Sequence, residues 1–148
     1  SRELSEIPDA RGRTSLLRVH DTRTATLWAK LFHSAFGYQI HASVVEATMH
    51  AVDYFIGSSQ GGYVGTAALY LTGDTIAGIH SMGVIPEQRR KGYAEDFLLQ
   101  VMHAAKNMGA DYATLQASEM GKGLYLKTGF QEDFLLRNFI QITKTENK

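Results

Sequence analysis

The spacing of apolar positions changes character along the chain. Ala25, Trp28, Leu31, Phe32 and Ala35 recur at intervals of three and four, which places them on one helical face. Asp21 or Thr22 can cap that helix and Gly37 stops it. A shorter helix is predicted over 43–50. Ahead of both, 14–19 (TSLLRV) has the branched, apolar content of a first strand, while residues 1–13 are polar and interrupted by Pro8 and Gly12. From Val52 the pattern becomes that of strands: VDYFIG (52–57), YVGTAALYLTGD (63–74) and TIAGIHSMGVI (75–85), divided by glycine turns. An antiparallel meander is the expected arrangement.

After Gly92 the helical period returns, with Ala94, Phe97, Leu98, Val101, Ala105 and Met108 on one face and a stop at Asn107-Met108-Gly109. YATLQA (112–117) follows as a strand. A helix between this strand and the one before Gly92 requires a crossover, so the two are expected to be parallel neighbours with a right-handed connection. A short helix over 121–127, stopped by Thr128-Gly129, and a strand over 134–143 (FLLRNFIQIT) complete the order βααβββαβαβ, with KTENK as a frayed tail. The class is α/β (α+β): a mixed, mostly antiparallel central sheet with helices on both faces.

At 148 residues and 44% apolar content, one domain spanning 1–148 is expected. Net charge is zero, so no overall field draws nucleic acid or an anionic membrane, and any anion site must come from local clustering. The absence of cysteine excludes disulfides, thiolate ligands and a cysteine nucleophile. No apolar run approaches the roughly 20 residues that span a bilayer, and the polar N-terminus lacks a signal-peptide core. A soluble, cytoplasmic protein is the expectation. The chain opens on Ser1 rather than methionine, which leaves room for a longer parent protein.

The densest chemistry lies where the strand at 75–85 runs through Pro86 into Arg89-Arg90-Lys91-Gly92-Tyr93-Ala94 and a helix. Glycine lets backbone amides approach an anion, and the helix N-terminus presents unpaired N–H groups and a positive dipole end. The three cations suit phosphate contact, although charges in a turn are also commonly just solvated. No G-x-x-x-x-G-K-[ST] or G-x-G-x-x-G stretch supports a generic nucleotide loop. His20, His33, His41, His50 and His103 have no metal-like grouping, so no metal is expected.

Arg89-x-x-Gly92-x-Ala94 resembles the [RQ]-x-x-G-x-[GA] pattern of the GNAT superfamily of N-acetyltransferases, between its fourth strand and third helix. Leu124-Tyr125-Leu126-Lys127-Thr128-Gly129-Phe130 is similar to that family's L-Y-x-K-x-G-F, and 54–71 to its second and third strands, with Gly65 in the hydrophobic-glycine pair. The resemblance covers nearly the whole chain and is weakest over the first 50 residues. It implies a GNAT fold in which the fourth and fifth strands splay apart. It also implies acetyl-CoA, or another acyl-CoA, as cosubstrate, bound by Met82, Gly83, Val84, Arg89, Arg90, Lys91, Gly92, Tyr93, Ala94, Ser118 and Tyr125.

By the same resemblance, amides near Met82 to Val84 stabilise the developing oxyanion and Tyr125 protonates the leaving thiolate. His80, on the strand facing the acceptor, is the candidate base, since imidazole has a reference pKa near 6.5. The competing readings are a packing tyrosine and a satisfied or solvent-facing histidine. Two departures bear on this. Ser118 stands where many members have asparagine and Gly121 where they have alanine; Gly121 and Gly123 each weaken a short helix by about 0.5–1 kcal/mol.

The acceptor pocket of the family involves the first two helices. Trp28, Phe32, Phe36, Tyr38, Tyr54 and Phe55 supply aromatic surface there, with core packing accounting for most of the helix-spaced stripe. Glu46, Asp53, Glu119 and Asp133 are the acids that could hold a cationic acceptor. A small-molecule amine is favoured over a peptide amine, and a homodimer is compatible with the resemblance. The alternative to an enzyme is a catalytically silent acyl-CoA-binding or regulatory module.

Overall fold

The computed structural model describes residues 2–73 and 75–115. The helix expected over 121–127, the strand over 134–143, and the residues Ser118, Glu119, Gly121, Tyr125 and Asp133 lie outside the described residues.

The chain opens on a two-residue strand, β1 (Arg2–Glu3), and continues into β2 (Ser15–Arg18). Asp21 then caps α1 (Thr22–Phe36). Its carboxylate accepts from Thr24 N at 2.8 Å while the Thr24 hydroxyl accepts from Asp21 N, a reciprocal capping box. Gly37, at φ +82°, closes the helix by donating its N–H to His33 O. The short helix α2 (Ala42–Thr48) follows.

The meander is formed by β3 (Asp53–Ser59), β4 (Gly62–Thr72) and β5 (Ile76–Val84), paired antiparallel as expected. A 3-10 turn (Pro86–Gln88) leads to α3 (Tyr93–Asn107), and β6 (Tyr112–Leu115) returns parallel to β5 with Ile76 opposite Tyr112 and Ile79 opposite Leu115. The sheet order is β1-β6-β5-β4-β3-β2. Residues 1–13 had no strand in the sequence pattern, yet Arg2 and Glu3 pair antiparallel with Ala113 and Tyr112. The strand entering the Arg89 turn is therefore the fifth of this sheet.

Side-chain alternation divides the core into two layers. Leu4, Val64, Ala67, Leu69, Ala77 and Ile79 pack with Phe97, Leu98, Val101 and Met102 of α3. Ile56, Ala68 and Ile85 pack with Trp28, Leu31 and Phe32 of α1 and Val45 of α2. With helices on both faces, the middle of β4 is buried continuously from Val64 to Leu69. No helix among the described residues is long and apolar enough to cross a membrane.

Candidate active site

The β4–β5 ladder carries a β-bulge at the place assigned to the acyl group. Thr66 pairs with Gly83 and Ala68 with His80, so β5 holds one residue more than β4 over this interval. Ser81 absorbs it in a left-handed conformation (φ +53°), with its carbonyl accepting from Thr66 Oγ1 at 2.9 Å. Ala67 is left without a partner on β5, and its carbonyl accepts from the buried Trp28 indole N–H at 3.1 Å. Two glycines permit the close approaches around the bulge. A Cβ at Gly65 would lie 1.9 Å from Gly83 O, and one at Gly83 would lie 2.7 Å from the Phe36 ring.

The bulge sets the faces of β5. Met82 and Val84 pack toward α3, and Gly83 lies against Phe36 and Ala35 of α1. His80 is opposite Ala68, exposed, with its imidazole above Gly78; it has no hydrogen-bond partner among the described residues. On the β6 side the described pairing ends at Ile79–Leu115. The expected splay of the two parallel strands beyond this pair lies outside the described residues.

The turn that follows is built on backbone conformation. Ile85 N donates to Val64 O at 2.8 Å, and Arg89 N closes the 3-10 turn onto Pro86 O. Arg90 and Gly92 are both left-handed, at φ +64° and +81°. Gly92 is the N-cap of α3 and supplies no side-chain cap, so the first-turn N–H groups of this helix are not covered from that position. The three cations have separate fates. Arg89 turns inward, its Nε donating to Val84 O at 3.0 Å and its Nη2 to Ala35 O at 2.8 Å, which ties α1 to the end of β5. Lys91 is exposed with Nζ 3.4 Å from Gln88 Oε1, and Arg90 is exposed.

The polar face of α3 carries contacts that the sequence pattern alone does not predict. Asp96, in the first turn, is almost fully buried and accepts from Arg11 N, Thr14 N (2.8 Å) and Thr14 Oγ1 (2.7 Å). Burial pushes its carboxyl up, but these hydrogen bonds together outweigh it and hold the group below its ordinary value. Further along the helix, Gln100 Nε2 donates to Thr14 O (2.8 Å), His103 Nε2 to Pro8 O (2.8 Å) and Lys106 Nζ to Ser5 O (3.3 Å). Segment 2–14 thus runs along α3 from its last turn to its first. The available signal was the polar series Asp96, Gln100, His103, Lys106 at helical spacing, which in sequence reads as a solvated face.

On the other face of the sheet, Trp28 and Phe32 stack at 5.2 Å and are buried core, as the stripe suggested. Phe36 stacks on Phe32 at 4.5 Å, Tyr54 meets Trp28 edge-on at 4.9 Å, and Tyr38 is exposed. Phe55 belongs to the α3 layer and not to this aromatic surface, because Ile56 beside it takes the α1 side. Glu46 is engaged by the Thr22 hydroxyl at 2.5 Å and Asp53 by Arg18. Among the described residues there is no grouping that could hold a metal ion.

A family profile described as an acetyltransferase (GNAT) domain matches residues 50–132. No curated protein matches the chain in sequence. Solved structures do. An acetyltransferase from Trypanosoma brucei is 18% identical, with a TM-score of 0.65 over 81% of this chain and 94% of that one. A predicted acetyltransferase with acetyl-CoA from Clostridium acetobutylicum is 18% identical, with a TM-score of 0.66 over 82% and 92%. The ribosomal-protein-S18-alanine N-acetyltransferase from Escherichia coli is 15% identical, with a TM-score of 0.66 over 81% and 79%. At these identities the likeness concerns the fold alone.

Proposed function

The chain belongs to the GNAT acetyltransferases, and on that premise we propose that it moves the acetyl group of acetyl-CoA to a primary amine by direct attack within a ternary complex. The observation that carries this reading is the turn 89–94: left-handed Arg90 and Gly92, exposed Arg90 and Lys91, and a helix N-terminus with no side-chain cap. That combination fits a diphosphate, which takes backbone N–H groups and positive charge together. Backbone amides of 89–94, with Tyr93 and Ala94 in the first turn of α3, would hold the pyrophosphate. The side-chain contribution comes from Arg90 and Lys91, since Arg89 is committed to carbonyls. Ser118 is assigned to the cofactor on the motif alone.

Acetyl-CoA supplies the acyl group already activated as a thioester. The chain's part is to position, to receive one proton and to give one. Backbone N–H groups of Met82, Gly83 and Val84 serve the acyl oxygen, with their positions set by the Ser81 bulge and by Gly83 against Phe36. The acceptor amine enters from the α1 side, where His80 stands exposed and takes the proton that nitrogen loses as the N–C bond forms. Tyr125 gives a proton to the sulfur as the C–S bond breaks, and both side chains are restored by exchange with water.

Phe36, Tyr38 and Tyr54 offer the acceptor an aromatic wall, while Glu46 and Asp53 are already occupied. This favours a small amine with an apolar or aromatic body over a polycation. The whole chain acts as one domain. A free-thiol release assay with acetyl-CoA across arylalkylamines, aminoglycosides, polyamines, amino acids and peptides tests the proposal. Thiol release should appear with at least one class, arylalkylamines first. Acetyl-CoA binding without thiol release across the panel, unchanged by Tyr125→Phe, would make the chain a silent binding module instead.

A further inference from the structure

Segment 2–14 ends by delivering a fourth cation to the turn. The Arg13 Nη2 donates to Lys91 O at 2.9 Å, and its guanidinium carbon sits 4.9 Å from the centroid of the Tyr93 ring. A Cβ at Gly92 would lie 2.6 Å from Arg13 Nη1, so the guanidinium rests directly on the glycine that caps α3. Among the described residues, one of its five N–H donors is used, on Lys91 O, and stacking on Tyr93 uses none. The remaining donors are held over the first turn of α3 on an exposed side chain.

Its placement is fixed from behind. Thr14, the next residue, is bound to Asp96 through both N and Oγ1, and Arg11 N binds the other carboxylate oxygen. Arg90 and Lys91 carry charge to the same turn on side chains with little to hold them. Arg89 is held by two hydrogen bonds but spends them inward on carbonyls, whereas Arg13 is exposed and oriented by two contacts.

We propose that Arg13 is a phosphate-binding residue of the acyl-CoA site, supplied by segment 2–14, and that Asp96 is the positioning residue that sets it there. The inference rests on the reading of turn 89–94 as the CoA phosphate site. Arg13 contacts the phosphates of the cosubstrate and leaves the acyl chemistry to other residues, so its loss raises the KM for acetyl-CoA with kcat unchanged at saturation.

Calorimetric titration of CoA into the full chain tests this, with Arg13→Ala, Arg13→Lys, Arg13→Gln and Asp96→Asn compared at low and high salt. Arg13→Ala should weaken CoA binding about five- to tenfold, Arg13→Lys should recover most of the loss, and the difference should shrink at high salt. Gln keeps an N–H donor for Lys91 O without a charge, so it should bind as weakly as Ala. If Arg13 only braced the turn, Gln would restore binding as well as Lys, and that result would overturn the proposal, as would unchanged CoA binding by Arg13→Ala.

Asp96→Asn should reproduce the Arg13→Ala loss and add nothing to it in the double variant. Should Asp96→Asn fail to fold by circular dichroism, Thr14→Val, which removes one donor to the same carboxylate, replaces it with the same expected non-additivity. Additive losses would remove Asp96 from the role. Dephospho-CoA separates the two phosphate sources: a persistent Arg13→Ala loss places the contact on the pyrophosphate, and a vanished one places it on the 3′-phosphate. A wild-type chain that binds no CoA at all would instead bring down the reading of the turn, and this proposal with it.

Discussion

Turn 89–94 and segment 2–14 meet at the N-terminus of α3, yet they are held by different means. The turn is shaped by backbone conformation, through left-handed Arg90 and Gly92 and a 3-10 closure onto Pro86, with Arg89 donating to two carbonyls from beneath. Segment 2–14 pairs by backbone with β6 at its start and beyond that is held by side chains of another element: Asp96, Gln100, His103 and Lys106 along α3, with Leu4 fully buried among the residues that face it. A backbone-determined turn loses its shape when glycine is replaced. A side-chain-determined strap comes away when its anchors are cut, leaving the turn in place.

The largest separation between the two should come from Leu4→Ala. It removes a fully buried side chain at the far end of the strap and should cost about 2–5 kcal/mol in denaturant unfolding, with CoA affinity of the folded fraction falling only as far as Arg13 is displaced. Asp96→Asn comes next, at about 1.5–3 kcal/mol, because a buried carboxylate bound by three donors loses its charge. The same group predicts a pH dependence. Its folded pKa lies below that of the unfolded chain. The stabilisation is therefore complete above about pH 4 and is lost as the pH falls through the folded value. Acid unfolding of Asp96→Asn should lack that portion; an identical acid limb in both proteins would contradict it.

Gly92→Ala attacks the turn instead. The left-handed conformation costs an L-residue about 1–2 kcal/mol, and the new Cβ would push the Arg13 guanidinium aside, so stability and CoA affinity should fall together. The smallest effect belongs to Arg90→Ala, an exposed side chain. Thermal melting should be unchanged within about 0.5 kcal/mol, while CoA affinity drops a few-fold in a salt-dependent way.

The elements carrying a local signal were legible in the sequence. The apolar stripe of α1 with Asp21 before it and Gly37 after it, the glycine-divided meander, and the parallel pairing of β5 with β6 all follow from periodicity, capping chemistry and connection rules. What escaped depends on groups far apart in the chain. Arg2 and Glu3 are strand only because β6 offers them an edge. Arg89 binds carbonyls of Val84 and Ala35 that only the folded sheet brings together. The same reasoning hid Asp96, whose polarity suggests solvent and whose partners lie more than 80 residues earlier. In the site, glycine and charge at 89–94 were visible in advance, whereas the committed direction of Arg89 and the arrival of Arg13 were not.

Direct transfer in a ternary complex is tested most plainly by acetyl-CoA labelled in its acetyl group, mixed with the amine that releases most thiol and followed by mass spectrometry. The label should appear in the amine, in proportion to the thiol released, and at no time on the protein. Label held on a protein side chain before the amine is added, or released only as acetate, would contradict direct transfer.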